Sequence, residues 1–292
     1  MKHFRTFLVY DRPRLARNGW LVRTLTEKFA KHGLKLELKL AEEALREDAW
    51  KEDLPDAVVM RCAFPELSRR WEAAGVRVFN SSEVSETAND KLKTFKRFSE
   101  IVPMMETRAL EAEWEEEGGE ERGRKPVFRN LLPFPFVLKS RNGHGGTEVF
   151  CVREESELRS RLEQSGDLTP ERCQRWLIQE LAEAGRDVRV YVLGNRIFAG
   201  MERFSEKDFR SNYSLGGQAR PHALTVGELA LVRQVLSTLE FDFAGIDLIF
   251  DRGRAVLNEI EDVVGSRMLY ANTKLDVLEA FTTHVLSVMA AR

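Results

Sequence analysis

Residues 240–268 place acidic side chains where a buried strand should carry only Val, Ile or Leu, and that conflict limits what the chain can fold into. The stretch reads as two apolar strands joined by a tight turn at Arg252-Gly253. Glu259 and Glu261 are two residues apart, so a strand points both to one face. Asp247 lies on the partner strand between Ile246 and Leu248. Clustered, partly buried carboxylates repel one another unless a cation holds them. Oxygen donors with no His or Cys nearby suit Mg²⁺, which keeps waters and bridges to substrate phosphates. Register decides whether the cluster exists. A two-residue turn sets Asp247 opposite Asn258, whereas a three-residue loop, 252–254, sets it opposite Glu259. One residue of slip moves a side chain to the other face, so the metal reading needs the longer loop or a bulge. The competing reading is a solvated hairpin edge that carries charges.

A chain of 292 residues holds one large domain or two to three small ones. With 43% hydrophobic and 32% charged residues it reads as a soluble globular protein. Its net charge of −2 offers no basic excess to a polyanion, which argues against nucleic-acid binding as the main task. Cys62, Cys151 and Cys173 are odd in number and widely spaced, with no C-x-x-C. That pattern argues for reduced thiols in the cytoplasm and against a zinc ribbon. The apolar run at residues 4–10 is too short for a signal sequence or a membrane span and reads as a first strand.

Strands are expected at 6–9, 34–40, 56–60 and 76–79, alternating with helices at 21–32 and 66–74. This alternation predicts a parallel, doubly wound sheet, with ligand positions in the loops after the strands. Those positions are Asp11, Arg12 and Arg14, then Arg61, then Asn80 and Ser81, each also readable as an ordinary surface residue. A helix is expected at 88–100. The Glu-rich stretch 110–125 reads as a solvated helix end or mobile loop, and Pro126 as the start of a new compact unit.

The phosphate candidate is a glycine-rich loop, residues 140–147, between strands expected at 134–139 and 148–152. It is a hairpin flap and lacks the G-x-x-x-x-G-K-[ST] spacing. Glycines let successive N–H groups turn toward one anion. Lys139 ends the first of these strands, where its ammonium reaches a phosphate or snorkels to solvent. Paired with a carboxylate cluster the loop gains weight, because ATP sites need both anion donors and a Mg²⁺ holder. A strand at 176–181 is placed to border an adenine, and 187–192 sets Asp187 and Arg189 on one face. A hairpin return follows at 196–201 through Gly194-Asn195. Beyond it, Arg210 and Asn212 sit in a polar, turn-forming stretch where they could address a developing oxyanion, or form a surface loop with a salt bridge.

The residues Asp90-Lys91, Pro135 to Ser140, Gly143 to Gly146, Gln179-Glu180, Asp187-Val188-Arg189, Phe209 to Asn212, Gly216-Gly217, Ala244 to Asp247 and Glu259-x-Glu261, in this order, resemble the ATP-grasp fold. Within it the chain is most similar to the RimK-like carboxylate–amine ligases, one of which adds glutamate to a ribosomal protein. The resemblance runs from the first strand to about Leu269.

It implies an α/β (α+β) architecture in three parts. These are an N-terminal parallel-sheet domain (1–85), a small central lid with the glycine loop (86–182), and a C-terminal antiparallel-sheet domain with the metal site (183–292). It also implies roles. Lys91 and Lys139 contact ATP phosphates, and the backbone of Gly143, Gly145 and Gly146 folds over the β and γ groups. Gln179, Glu180 and Leu181 border the adenine, and Asp187 takes the ribose. Arg210 and Asn212 hold the γ-phosphate and the acyl intermediate, so Arg210, Lys139 and Asn212 are the catalytic set. Asp247, Glu259 and Glu261 bind Mg²⁺, with Mn²⁺ as the alternative ion.

Two departures stand out: the family usually has Glu-x-Asn where this chain has Glu259-Ile260-Glu261, and its Pro-Gly turn is replaced by residues 262–267. Glu for Asn adds a negative charge at the metal, which favours a second cation or takes Glu261 out of the ligand set. Arg267, in the loop that faces the acceptor substrate, is a candidate clamp for a substrate carboxylate.

The chemistry implied is amide or peptide bond formation, as in amino-acid or glutamate addition. A carboxylate is phosphorylated by ATP and an amine then displaces phosphate. The partners are small-molecule or peptide carboxylates and amines; the sequence leaves the oligomeric state open, a homo-oligomer included. His144 is a candidate for proton transfer, or a loop histidine with no part in the chemistry. Two other readings remain open: a nucleotide-binding regulator that has lost ligase activity, and a kinase for a non-carboxylate group.

Overall fold

Burial runs unbroken from Thr6 to Tyr10 along β1 (Arg5–Tyr10), so both faces of the N-terminal sheet are covered. Phe7 and Val9 point into one apolar cluster, Leu8 and Tyr10 into another, as the period of two requires. This computed structural model describes residues 4–46, 54–116, 124–143, 146–205 and 218–292. After β1 come α1 (Arg12–Arg17), α2 (Gly19–Lys31), β2 (Lys35–Leu40), α3 (Ala41–Arg46), β3 (Ala57–Met60), α4 (Pro65–Ala73) and β4 (Arg77–Phe79). The four strands form a parallel sheet in the order β2-β1-β3-β4, as the strand–helix alternation predicts.

The single helix expected at 88–100 is two: α5 (Ser82–Ala88) and α6 (Lys91–Phe98). Asn89 closes the first, and Asp90 caps the second by accepting from the N–H groups of Leu92 and Lys93. Next come β5 (Thr107–Ala109), β6 (Glu111–Glu116) and β7 (Arg124–Arg129). The last two correct the expected helix end or loop at 110–125, because they pair as an antiparallel ribbon with Trp114 opposite Pro126. The Glu residues there alternate with Ala112 and Trp114, and Glu113 and Glu115 hold Arg129 at 3.0 and 2.7 Å. Pro126 therefore lies inside a strand rather than at the start of a unit, in a two-stranded ribbon where a missing N–H is tolerated.

β8 (Phe136–Ser140), β9 (Val149–Val152), α7 (Glu155–Gln164), α8 (Pro170–Cys173) and β10 (Trp176–Glu180) follow. With β5 they make a four-stranded antiparallel sheet, β5-β10-β8-β9, whose core includes Leu158 and Leu162 of α7. The remaining elements are β11 (Arg186–Leu193), β12 (Arg196–Phe204), β13 (Gln218–Pro221), α9 (Val226–Thr238), β14 (Phe243–Asp251), β15 (Arg254–Glu261), α10 (Arg267–Asn272) and α11 (Val277–Ala290). Their five strands form an antiparallel sheet, β13-β12-β11-β14-β15. Val188, Val190, Ile246 and Leu248 bury one face of it against α9. Tyr191, Met201 and Phe243 join Leu8, Leu25 and Phe281 in a core shared with the N-terminal sheet. Among the described residues no helix is long and apolar enough to cross a membrane.

Candidate active site

The β14–β15 hairpin settles the register by combining the two options left open by the sequence. Asp251 pairs with Arg254, so the turn has two residues, and Arg252 and Gly253 take φ of 49° and 74°. A bulge then falls between Asp247 and Leu248: Leu248 pairs with Leu257, but Asp247 pairs with Glu259, and Asn258 is the extra residue. Glu261 follows opposite Gly245. Oxygens of Asp247, Glu259 and Glu261 consequently lie within 4.8 Å of one another. Gly245 is required here because a Cβ would come 2.8 Å from the Val264 side chain.

The repulsion among these carboxylates is relieved by the protein's own cations. Arg189, buried on β11, donates to Asp247 through Nε at 2.7 Å and Nη2 at 2.6 Å, and lies 2.7 Å from Glu261. Arg203 on β12 reaches Asp247 at 2.8 Å and grips both oxygens of Asp187 at 2.5 and 2.9 Å. Burial pushes the Asp247 carboxyl up, but Arg189 and Arg203 outweigh it and hold it well below the usual range. Glu259 is also held low, with Lys91 and Lys139 overcoming its burial. Burial wins at Glu261, whose carboxyl is raised despite Arg189. The cations that the clustered carboxylates require thus include two arginines, Arg189 and Arg203, to which the sequence reading gave no role. Arg189 was legible as a cation two residues from Asp187 on a buried strand. Arg203 was not, because β12 runs past the expected end at 201 to Phe204.

Facing the cluster is a cavity of about 320 Å³ between the four-stranded and five-stranded sheets. Lys91, Lys139, Gly143, Gly146, Gln179, Glu180, Leu181, Asp187 and Glu259 all line it. Lys91 heads α6; it donates to the Gly143 carbonyl and lies 3.5 Å from Glu259. Asp90, which caps that helix, also accepts from Arg141 at the end of β8, tying the glycine loop to α6. Lys139 donates to the bulge residue Asn258 at 2.9 Å, and its burial pulls the ammonium down to about 8. Gln179 is buried and donates to Thr107 at 3.0 Å, while Glu180 and Leu181 are exposed at the rim. Gly146 has φ of 75°, a conformation that glycine adopts at no steric cost. His144, Gly145, Arg210 and Asn212 lie outside the described residues.

The loop positions expected to meet ligand at the N-terminal sheet divide. Asp11 caps α1 and pairs with Arg14; Arg12 is held by Glu42 and Glu43; Ser81 caps α5. Asn80 is buried and clamps Phe243 and Asp262. Arg61, also buried, donates to the Val264 carbonyl at 2.7 Å, and Arg267 donates to the carbonyl of Arg17 at 2.6 Å.

The sequence model of the RimK-like ATP-grasp domain matches residues 118–284. Human N-acetylaspartylglutamate synthase A is 30% identical over 250 residues, covering 82% of this chain and 61% of that protein. The chain spans about three-fifths of the length of that relative. A RimK-domain ATP-grasp protein from Sphaerobacter thermophilus superposes with a TM-score of 0.66 at 19% identity, over 97% of this chain and 99% of that one. The ATP-grasp ligase PsnB, solved with a minimal precursor, Mg and ADP, gives 0.62 at 15% identity, over 99% of each chain. These two show the fold, and the domain match, covering more than half of the residues, places the chain in the RimK-like ATP-grasp family.

Proposed function

We propose that the protein is an ATP-dependent carboxylate–amine ligase that forms an amide or peptide bond and releases ADP and phosphate. The observation that carries this reading is that Lys91, Lys139 and Glu259 line one cavity, with oxygens of Asp247 and Glu261 within 4.8 Å of that of Glu259 behind it. The two ammoniums are placed to receive phosphate oxygens, with the backbone of Gly143 and Gly146 alongside. Gln179, Glu180 and Leu181 border the adenine end, and Asp187, fixed by Arg203, takes the ribose. Asp247, Glu259 and Glu261 suit a divalent ion. All their donors are oxygens, the one salt-bridge partner of Glu259 among the described residues is Lys91 at 3.5 Å, and Arg189 occupies one oxygen of Glu261. Arg189 offsets the charge that Glu261 adds where the family usually has Asn. Mg²⁺, or Mn²⁺ in its place, supplies charge neutralisation at the β and γ phosphates when bound.

In the first step a substrate carboxylate oxygen attacks the γ-phosphorus, the bond to the β-phosphate oxygen breaks, and ADP leaves. In the second an amine nitrogen attacks the acyl carbon, the bond to phosphate breaks, and the amine's proton passes to solvent or to the departing phosphate. The chain's own part is positioning and charge, with Lys139, Arg210 and Asn212 assigned to the reacting groups. A relative named for joining glutamate to an N-acetylated amino acid supports amino-acid or glutamate addition. The three-part division at 1–85, 86–182 and 183–292 belongs to the same proposal; each of the three large sheets lies wholly within one part. So does a homo-oligomeric enzyme of the cytoplasm, where the free cysteines stay reduced.

The test is ADP release with candidate carboxylates, with hydroxylamine trapping the acyl phosphate. Amine-dependent ADP release with hydroxamate formation is expected, and Arg210→Ala should abolish it while ATP still binds. ATP binding without turnover on any acid would favour a regulator; ADP release without hydroxamate would favour a kinase.

A further inference from the structure

A second cavity, about 310 Å³, lies away from the nucleotide pocket, at the carboxyl ends of β1 and β3. With the strand order β2-β1-β3-β4, this is the point where the winding reverses, the usual ligand crevice of an open parallel sheet. Its volume matches the lower end of small-molecule sites, roughly 300–1,000 Å³. Four guanidiniums line it, from Arg14, Arg17, Arg61 and Arg267, and no carboxylate does. Arg14 is matched by Asp11. Among the described residues, Arg17, Arg61 and Arg267 have no carboxylate at salt-bridge distance and donate only to neutral oxygens.

Two buried groups in the lining also lack partners: Nε of Arg61, a residue only 4% exposed, and the hydroxyl of Ser266, which is 1% exposed. The buried Asp262 carboxylate offsets Arg61 only from beyond salt-bridge distance, and Arg17 and Arg267 have no such partner among the described residues, so the lining stays cationic and suits an anion. The cavity is joined to the carboxylate cluster by the chain itself. Val263 in its wall is two residues beyond Glu261, a reach of at most ~7 Å. Gly265 accepts from Tyr191 at 2.9 Å, two residues along β11 from Arg189.

We propose that this cavity holds the acid substrate, and that the acid carries at least two carboxylates. This rests on the ligase reading. One carboxylate must point toward the Glu261 side to be phosphorylated, so the carboxylate gripped by Arg17, Arg61 and Arg267 is a different one. Arg17 and Arg267, exposed at the mouth, select; Arg61 and Ser266 form the floor.

Calorimetry on the full chain with Mg²⁺ and ADP, using tricarballylate, succinate and butyrate as probes, tests it. The first two should bind, and butyrate should bind more weakly by about tenfold or more. Arg17→Gln and Arg267→Gln, at exposed positions that spare the fold, should each weaken succinate by about tenfold while ADP affinity stays constant. Equal binding of butyrate, or succinate affinity unchanged in both variants, overturns the inference. Glutamate that displaces succinate and is then consumed as the amine overturns it too, by giving the cavity to the other substrate. The two readings fail separately. Arginine-dependent succinate binding without hydroxamate keeps the cavity assignment and sinks the ligase. Hydroxamate made equally well from butyrate, and insensitive to both substitutions, keeps the ligase and sinks the assignment.

Discussion

Lys139 illustrates how burial tunes a single cation. The surrounding sheets strip water from its ammonium and pull it down to about 8; Lys91 adds to that effect and Glu259 opposes it. Around pH 7 the group is still charged, and above pH 8 it is neutral in the free protein, so binding a phosphate there requires uptake of a proton. ATP affinity is therefore expected to fall roughly tenfold between pH 7 and pH 9, and Lys139→Arg should flatten the profile; titration calorimetry across that range checks both. The linked stability term has the opposite sense. A lowered lysine binds fewer protons folded than unfolded, so its burial penalty is present below pH 8 and is relieved as pH rises toward the unfolded value near ~10.4. Arg203 shows the cost of the reverse change, removing a buried cation outright. It neutralises Asp187 and shares Asp247 with Arg189, at 3% exposure. Arg203→Met should cost about 3–5 kcal/mol in urea unfolding, because an uncompensated buried carboxylate remains. Adding Asp187→Asn should restore part of that loss, and simple additivity of the two changes would show that the pair is not coupled.

At the scale of elements, the hairpin from Phe243 to Glu261 organises the cluster, and its sequence carried more of the answer than the turn alone revealed. Leu257 and Ile260 are core residues with two polar residues, Asn258 and Glu259, between them. A regular strand alternates one for one, so a second polar residue in that interval is the mark of a bulge. The helix break at Asn89-Asp90 was equally legible, as a closing residue followed by a cap. The pairing of β6 with β7 was hidden by charge: four glutamates in six residues look solvated, and the ribbon depends on Arg129 from outside that stretch. The turn itself is suboptimal. Arg252 is an exposed residue at positive φ, in the first of two positions that both need it. Asn-Gly is the preferred pair for such a turn, so Arg252→Asn should raise stability by about 0.5–1 kcal/mol. Thermal unfolding would show this as a small rise in midpoint, and a fall would mean that Arg252 makes contacts worth more than its backbone strain.

Across the whole molecule the sheets act together only if the N-terminal one is fixed to the hairpin, and that fixing was the least visible feature in the sequence. The alternation of strands and helices revealed the parallel sheet, because period and punctuation are local. Asn80 read as a loop residue after the fourth strand, since its partners lie more than 160 positions away. In the structure its side-chain oxygen accepts from the N–H groups of Asp242 and Phe243 at 2.7 and 2.9 Å. Its amide nitrogen donates to the Phe243 carbonyl and to Asp262, both at 2.8 Å. One buried amide thus joins the end of β4 to the start of β14 and to the residue after Glu261. Burial raises the Asp262 carboxyl, while Asn80, Ser85 and Asn89 hydrogen bonds hold it down, so losing Asn80 would leave that carboxylate less well served. Asn80→Ala orphans two backbone N–H groups and a carbonyl in the interior, for which about 2–4 kcal/mol is the expected cost. Urea unfolding should show a lower midpoint with an unchanged slope, since the fold's surface burial is not altered. A midpoint within about 0.5 kcal/mol of the parent would mean that apolar packing through Leu8, Phe243 and Phe281 alone holds the sheets together.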